Sequence, residues 1–352
     1  MDPLSWIDEE LALLERSDLL RSLPPGLTTA GALIKIDGQE IINFASNDYL
    51  GLAADSRLAS AAAEAFLQQG VGRGASPLVC GRSSIHEQLE QRLAQFFNTE
   101  AALLFPTSFA ANAGIIPALT DDGDAIYGDA KNHASIIDGC RLSRAERHIY
   151  PHVDMETLAT MLSQGKHYRR RLIVTDTLFS MDGDLAPLGQ LTKLAAEYDA
   201  MLMVDEAHAV GVFGATGRGV VEHFAKEDPG LEKHISLRVG SFGKALGGAG
   251  GFACGSAALI RWLANRARTY VFSTAHPAGI SAAGLVALDL VDREPERRQG
   301  LLARAAELRI RLNDQGWDTG RSTSQIIPVV IGSAERTMRV SQALRERGIW
   351  AP

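Results

Sequence analysis

The sequence predicts an α/β protein: a mostly parallel sheet covered by helices, with a smaller α/β lobe towards the C-terminus. Three observations predict it. Short apolar runs at residues 101–105, 125–127, 172–175, 201–204, 237–240 and 251–253 alternate with helical patterns such as 85–97, 155–162 and 188–198. Such alternation closes into a sheet through right-handed crossovers, and ligands then collect at the carboxyl ends of the strands. With 352 residues, 46% of them hydrophobic and 22% charged, the chain has enough apolar surface for one large core and a second, smaller one.

In chain order, residues 11–20 carry apolar side chains at helical spacing, and Pro24, Pro25 and Gly26 end that pattern, giving an N-terminal helical arm. A hairpin follows, with Ile34 to Ile36 and Ile41 to Phe44 flanking the turn dipeptide Asp37-Gly38. From about residue 57 the strand–helix alternation begins. Helical patterns at 280–292 and 299–315, a strand-like 326–331 and a helix at 335–347 make up the smaller lobe. The expected domains are therefore an arm and hairpin at 1–55, a large ligand-binding domain at 56–280 and a small domain at 281–352. That small domain reads as shortened, because one helix follows the 326–331 run and no partner strand remains to complete its sheet.

The net charge of -7 and the lack of a broad basic face speak against nucleic acid as a partner. The acidic start at Asp2, Asp8, Glu9 and Glu10 does not suit a secretory signal, and no apolar run reaches spanning length, so a cytoplasmic, membrane-free protein is expected. Cys80, Cys140 and Cys254 are widely spaced and contain no C-x-x-C pair; buried free thiols are expected, with no disulfide framework and no metal site.

Three segments carry chemistry. The run from Met201 to Val204 ends in Asp205-Glu206-Ala207-His208, which puts a carboxylate and an imidazole at the ligand edge. A carboxylate there can hold a heteroaromatic nitrogen protonated, cap the next helix or bind Mg²⁺, and the motif alone leaves the three open. The second run, Leu237 to Gly240, leads through Ser241, Phe242 and Gly243 to Lys244, with glycines at 247, 248, 250 and 251. A lysine in a crowded, partly desolvated site acquires a lowered pKa and serves as a Schiff-base nucleophile, and the glycines let backbone approach a planar ligand. Competing motifs lack their companions: no S-D-N or K-T-G accompanies the S-x-x-K, and no phosphate-binding P-loop spacing surrounds Lys244. The third segment, Ala101 to Phe105 followed by Pro106, Thr107, Ser108 and Phe109, is a strand, a hydroxyl-bearing turn and a helix start; it offers a phosphate cradle or an ordinary helix cap.

Together with Ser46-Asn47-Asp48-Tyr49-Leu50-Gly51-Leu52, Leu78-Val79-Cys80-Gly81, His86-Glu87-Gln88-Leu89-Glu90 and Phe179-Ser180-Met181-Asp182-Gly183-Asp184, these segments resemble the α-oxoamine synthases from Arg21 onward. Those enzymes have the aspartate-aminotransferase fold (fold type I of pyridoxal-phosphate enzymes) and join an amino acid to an acyl thioester with loss of carbon dioxide. The resemblance implies pyridoxal 5′-phosphate as cofactor. It makes Lys244 the residue that binds the cofactor covalently and acts as base, Asp205 the partner of its ring nitrogen, His208 the donor to its phenolic oxygen and His133 the ring stacked on its face. Ser108, Phe109 and Ser241 become phosphate ligands and Ser180 a neighbour of the cofactor. Thr274, after Ser273, reaches the phosphate of a second subunit, so a homodimer is implied. Arg21, Asn47 and His133 stand near the substrate.

Within the family, Asn47 to Leu52, Ser180 to Leu188 and Gly217-Arg218-Gly219 resemble the branch that condenses L-alanine with a pimeloyl thioester, carried by coenzyme A or a carrier protein, in biotin synthesis. Branches that use glycine with an acetyl or succinyl thioester are the alternatives. Pro77 and Ser241 depart from the family pattern, and the proline-rich segment that normally follows Trp350-Ala351-Pro352 would bring an arginine for the substrate carboxylate and a threonine near the acyl chain. A catalytically silent scaffold on the same fold is the reading from another class. The intact set Lys244, Asp205, His208 and His133 argues against it.

Overall fold

A computed structural model describes residues 2–21, 23, 31–36 and 38–352. The proline–glycine stop at 24–26 and Asp37 of the hairpin turn lie outside the described residues. Two compact units are present: residues 1–46, 312–320 and 329–352 form one, and 47–311 with 321–328 form the other.

In the smaller unit, β1 (Leu33–Ile36) and β2 (Gln39–Asn43) pair antiparallel as the hairpin pattern predicts, and Gly38 takes the positive φ of 81° that the turn demands. Ile34, Ile36 and Ile41 form its apolar core, with Trp350 packed against them. The first helix runs Trp6–Arg16, starting five residues before the expected one, because Asp2 accepts the Leu4 amide at 2.9 Å and starts the turn earlier. It ends by Asp18, which lies in the left-handed region at φ 55°.

The larger unit holds a seven-stranded sheet: β3 (Ala101–Phe105), β4 (Ala125–Asp129), β5 (Glu146–Tyr150), β6 (Arg171–Asp176), β7 (Met201–Asp205), β8 (Leu237–Ser241) and β9 (Gly251–Gly255), in the spatial order β3-β9-β8-β7-β6-β4-β5. All neighbours are parallel except β9, which runs antiparallel to both β3 and β8. Alternate residues feed the two faces, as a pleated strand dictates: Leu202 and Val204 pack with one cluster and Met203 with the other. The first cluster lies under the helices Ser84–Phe97, Met155–Gln164, Leu188–Glu197 and Ala278–Arg293 through Leu93, Leu158, Leu191 and Leu288. The second lies under Ser108–Leu119, Ala134–Leu142 and Ala257–Arg266 through Ile115, Ile136 and Leu263. Burying each such side chain stabilises the fold by roughly 1.5–3 kcal/mol.

Several expectations need correction. Residues 326–331 form no strand, since Ile326 donates to the Ser324 hydroxyl at 3.2 Å and Val330 to the Asp318 carbonyl at 2.9 Å instead of joining a ladder. A partner strand does exist within the small unit: β10 (Ile349–Trp350) pairs parallel with β2 of the N-terminal hairpin. β5 escaped the apolar-run criterion because Glu146, Arg147 and His148 interrupt it. The expected boundaries at 55/56 and 280/281 do not coincide with the compact units, because the helix Ala278–Arg293 packs along the helices Ser56–Gln69 and Ser84–Phe97 and belongs with the sheet. Cys140 and Cys254 are buried free thiols as expected, whereas Cys80 is exposed, on the single turn Pro77–Gly81. No helix among the described residues is long and apolar enough to cross a membrane.

Candidate active site

The carboxyl edge of the sheet gathers the chemistry. β4, β6 and β7 end in Asp129, Asp176 and Asp205, all buried, with Asp176 directly beside Asp205 in register. His133 follows β4, Ser180 follows β6, His208 follows β7 and Lys244 follows β8. Antiparallel β9 joins two further pieces: Gly251 at its start pairs with both Phe105 of β3 and Ser241 of β8. This brings the Ser108 hydroxyl to 3.4 Å from that of Ser241.

Asp205 is held at both oxygens. Its Oδ1 accepts the Ala207 amide at 2.8 Å and its Oδ2 the Asn112 side-chain amide at 2.6 Å. Asn112 also donates to Ser135 Oγ at 2.9 Å, and Ser135 Oγ lies 2.8 Å from His133 Nδ1. One hydrogen-bonded chain thus runs from the carboxylate of β7 to the imidazole that follows β4. Burial lowers the pKa of His133, and the positive charge of Lys244 lowers it further against the pull of Asp205.

Lys244 is half-buried, and its ammonium makes no hydrogen bond or ion pair among the described residues. Burial depresses its pKa, opposed by the carboxylates of Asp205 and Asp176. A depressed ammonium without a partner is the state of a nucleophile and base. His208 is pushed down to about 3, first by burial and then by the charges of Lys244 and His133, so its ring is neutral. The other acid of that motif, Glu206, faces elsewhere: fully buried, it accepts the Val220 and Val221 amides and the Thr177 hydroxyl at 2.9–3.0 Å, tying down the loop after β7.

Ser108 opens the helix Ser108–Leu119, whose N-cap Thr107 takes the Ala110 amide at 2.9 Å. The Ser108 and Phe109 amides have no intrahelical partner and carry the positive end of the helix dipole. Gly251 is required here, since a Cβ at that position would lie 2.5 Å from Ser108 Cα and N. Gly251→Ala is expected to cost about 1–3 kcal/mol of stability through this overpacking, measured by urea unfolding of the cofactor-free protein.

The remaining expected site residues are dispersed. Ser180 is half-buried on the loop between the bridged Leu178 and Leu185. Asn47 is exposed, with its Oδ1 3.1 Å from the Tyr49 hydroxyl oxygen. Thr274 is exposed and lines a separate cavity with Arg82, His86, Glu90 and Tyr270. Arg21, exposed, belongs to the smaller unit.

Residue-by-residue reading passed over Asn112, Ser135, Asp176, Tyr49 and Gln325. Only Asp176, a carboxylate ending an apolar run as Asp205 does, carried a readable signal. Its Oδ2 accepts the His133 amide at 2.7 Å, and burial, reinforced by Asp205, raises its pKa strongly. The unfolded carboxylate titrates near ~3.9. Because the folded pKa is the higher one, this group's stability contribution is full below the unfolded value and is lost as pH rises through the folded value. Asp176→Asn keeps the acceptor for His133 and abolishes that loss. Its stability relative to wild type is therefore expected to grow with pH above about 4, read by urea unfolding across pH.

The aminotransferase class I and II model matches residues 39–352, nearly nine-tenths of the chain. The chain belongs to the class I and II aminotransferase family. Within that family it is 45% identical over 347 residues to the 8-amino-7-oxononanoate synthase of Symbiobacterium thermophilum, covering 98% of this chain and 87% of the relative. It is 48% identical over 348 residues to that of Anaeromyxobacter sp. (strain Fw109-5), covering 99% and 86%. Among solved aminotransferase-family structures, a serine palmitoyltransferase from S. paucimobilis with a bound PLP–myriocin aldimine superposes with TM-score 0.93 at 30% identity, over 100% of this chain and 92% of that one. An 8-amino-7-oxononanoate synthase from Francisella tularensis gives TM-score 0.76 at 29% identity, over 89% and 88%. The expected fold type and the α-oxoamine synthase resemblance are both borne out.

Proposed function

We propose that this chain is an 8-amino-7-oxononanoate synthase: it condenses L-alanine with a pimeloyl thioester, releasing carbon dioxide and free thiol, in biotin synthesis. The observation that carries the reading is the identity of 43–48% to 8-amino-7-oxononanoate synthases along 97–99% of the chain. Pyridoxal 5′-phosphate is the cofactor. The residues present fit it, because a half-buried lysine without a partner among the described residues, a buried carboxylate and a helix N-terminus with two hydroxyls share the sheet edge. When bound, that group supplies an aldehyde for amines and a ring that withdraws electrons from the α-carbon.

The protein's own part is orientation and proton handling. Asp205, fixed by Asn112 and the Ala207 amide, would hold the ring nitrogen protonated. Ser108, Phe109 and Ser241 would hold the phosphate, Ser180 would border the cofactor, and His133, its backbone anchored on Asp176, would lie against the ring. Lys244, its pKa depressed, takes the α-proton of alanine. The α-carbon then bonds to the acyl carbon as the thiolate leaves, the amino acid's carboxylate departs as carbon dioxide, and Lys244 returns a proton to the α-carbon. Arg21 and Asn47 are assigned to the substrate.

Thr274 is assigned to the phosphate of a second copy. The exposed apolar Leu78, Val79 and Phe272 support that, since they flank the hydrogen bond from Ala275 to the Ala75 carbonyl that joins their two segments. Light scattering is expected to give twice the chain mass. Activity is tested by a panel of alanine or glycine against acetyl, succinyl and pimeloyl thioesters, the last on both coenzyme A and carrier protein. Product from alanine and a pimeloyl thioester alone is expected. Product from glycine with acetyl or succinyl thioester, and none from alanine, would reassign the chain to glycine C-acetyltransferase or 5-aminolevulinate synthase. No product at all would leave the silent scaffold.

A further inference from the structure

His208 is buried and neutral, so it carries one N–H, and which nitrogen bears it decides whether the ring offers the site a donor or a lone pair. The group that sees Nδ1 is the Tyr49 hydroxyl, 2.7 Å away. Tyr49 sits on a tight turn: its own amide donates to the Asn47 carbonyl at 2.8 Å, and Asp48 accepts the Leu52 and Ala53 amides at 2.9 and 3.2 Å. Burial drives the phenol pKa up, so Tyr49 keeps its proton. Gln325 approaches from the other side. Its Nε2 donates to the His208 carbonyl at 2.8 Å, and its buried Oε1 has no hydrogen-bond partner among the described residues. The single phenolic proton of Tyr49 goes either to Nδ1 at 2.7 Å or to the exposed Asn47 Oδ1 at 3.1 Å. The shorter contact takes it: Asn47 is exposed to solvent, whereas nothing else among the described residues bonds Nδ1.

We propose that Tyr49, backed by Gln325, locks His208 in the Nε2–H tautomer, so that the imidazole presents a hydrogen-bond donor to the cofactor. Tyr49 is thus a positioning residue that acts through His208. The inference rests on the functional reading, which has His208 facing the cofactor's phenolic oxygen. A donor there stabilises that oxygen as an anion; a lone pair would repel it. Gln325 reaches His208 because Ser324 Oγ bonds the Gly183 carbonyl at 2.8 Å and holds the 321–328 segment in the larger unit.

The experiment is long-range proton–nitrogen correlation on the ¹⁵N-histidine-labelled holoenzyme, with the His208 signals assigned by their loss in His208→Gln. The wild type is expected to show the Nε2–H pattern. Tyr49→Phe is expected to shift His208 towards Nδ1–H and to lower kcat roughly tenfold, the worth of one buried hydrogen bond, with thermal unfolding reporting whether the variant is folded. An Nδ1–H ring in the wild type overturns the proposal whatever the variant does, and so does an unchanged tautomer in folded Tyr49→Phe. Failure of the functional reading looks different: no visible cofactor band in the wild type, with the tautomer still measurable on the protein.

Discussion

Replacing Lys244 by alanine is expected to reduce turnover of alanine and pimeloyl thioester by about 10⁴-fold, the upper range for removing a general acid–base group. Borohydride is expected to fix the cofactor covalently to the wild type and to leave none attached to the variant. Folding should be untouched, because the ammonium bonds nothing among the described residues and its removal deletes a desolvated charge rather than a contact. Urea unfolding of the cofactor-free variant should therefore match or exceed wild type. Turnover within tenfold of wild type would show that another group moves the α-proton.

Asp205→Asn is the second large effect, a loss of roughly 10²–10³ in kcat, the scale of removing one preorganised electrostatic contact. The wild-type carboxylate receives the Ala207 amide on one oxygen and the Asn112 amide on the other. An asparagine has one acceptor oxygen, so either it sets its own NH₂ against a donor or it abandons one bond. The negative charge assigned above to the ring nitrogen goes in either case, and KM for the amino acid should change far less than kcat. Asn112→Leu gives a graded comparison: the charge stays while its orientation is lost, and a fall smaller than that of Asp205→Asn is expected. Equal falls would mean that orientation, not charge, is what Asp205 provides.

Asp205 was legible because it closes a short apolar run and Lys244 because it follows one by a few residues, and such a run predicts both a strand and its ligand edge. Periodicity found the helices Met155–Gln164 and Leu188–Glu197 for the same reason, since four turns or fewer are decided by neighbours in the chain. It failed at residues 326–331, whose apolar residues look strand-like although no strand lies alongside to accept their hydrogen bonds. It failed again at β5, where polar residues sit in an edge strand that buries little of one face. Asn112, Tyr49 and Gln325 were silent because an amide or a phenol carries no chemical signal until something charged is placed against it.

From its own residues the chain determined where strands and helices form and which side chains are chemically able, because those depend on local spacing and intrinsic pKa. Tertiary structure decided the rest. Inserting antiparallel β9 between β3 and β8 joined Ser108 to Ser241, and folding the 321–328 segment into the larger unit brought Gln325 to His208. These pairs are separated by 133 and 117 residues. Contacts at such distances are chosen by which whole arrangement buries the most apolar surface with every buried polar group bonded, a property of the assembled core that no single stretch of sequence contains.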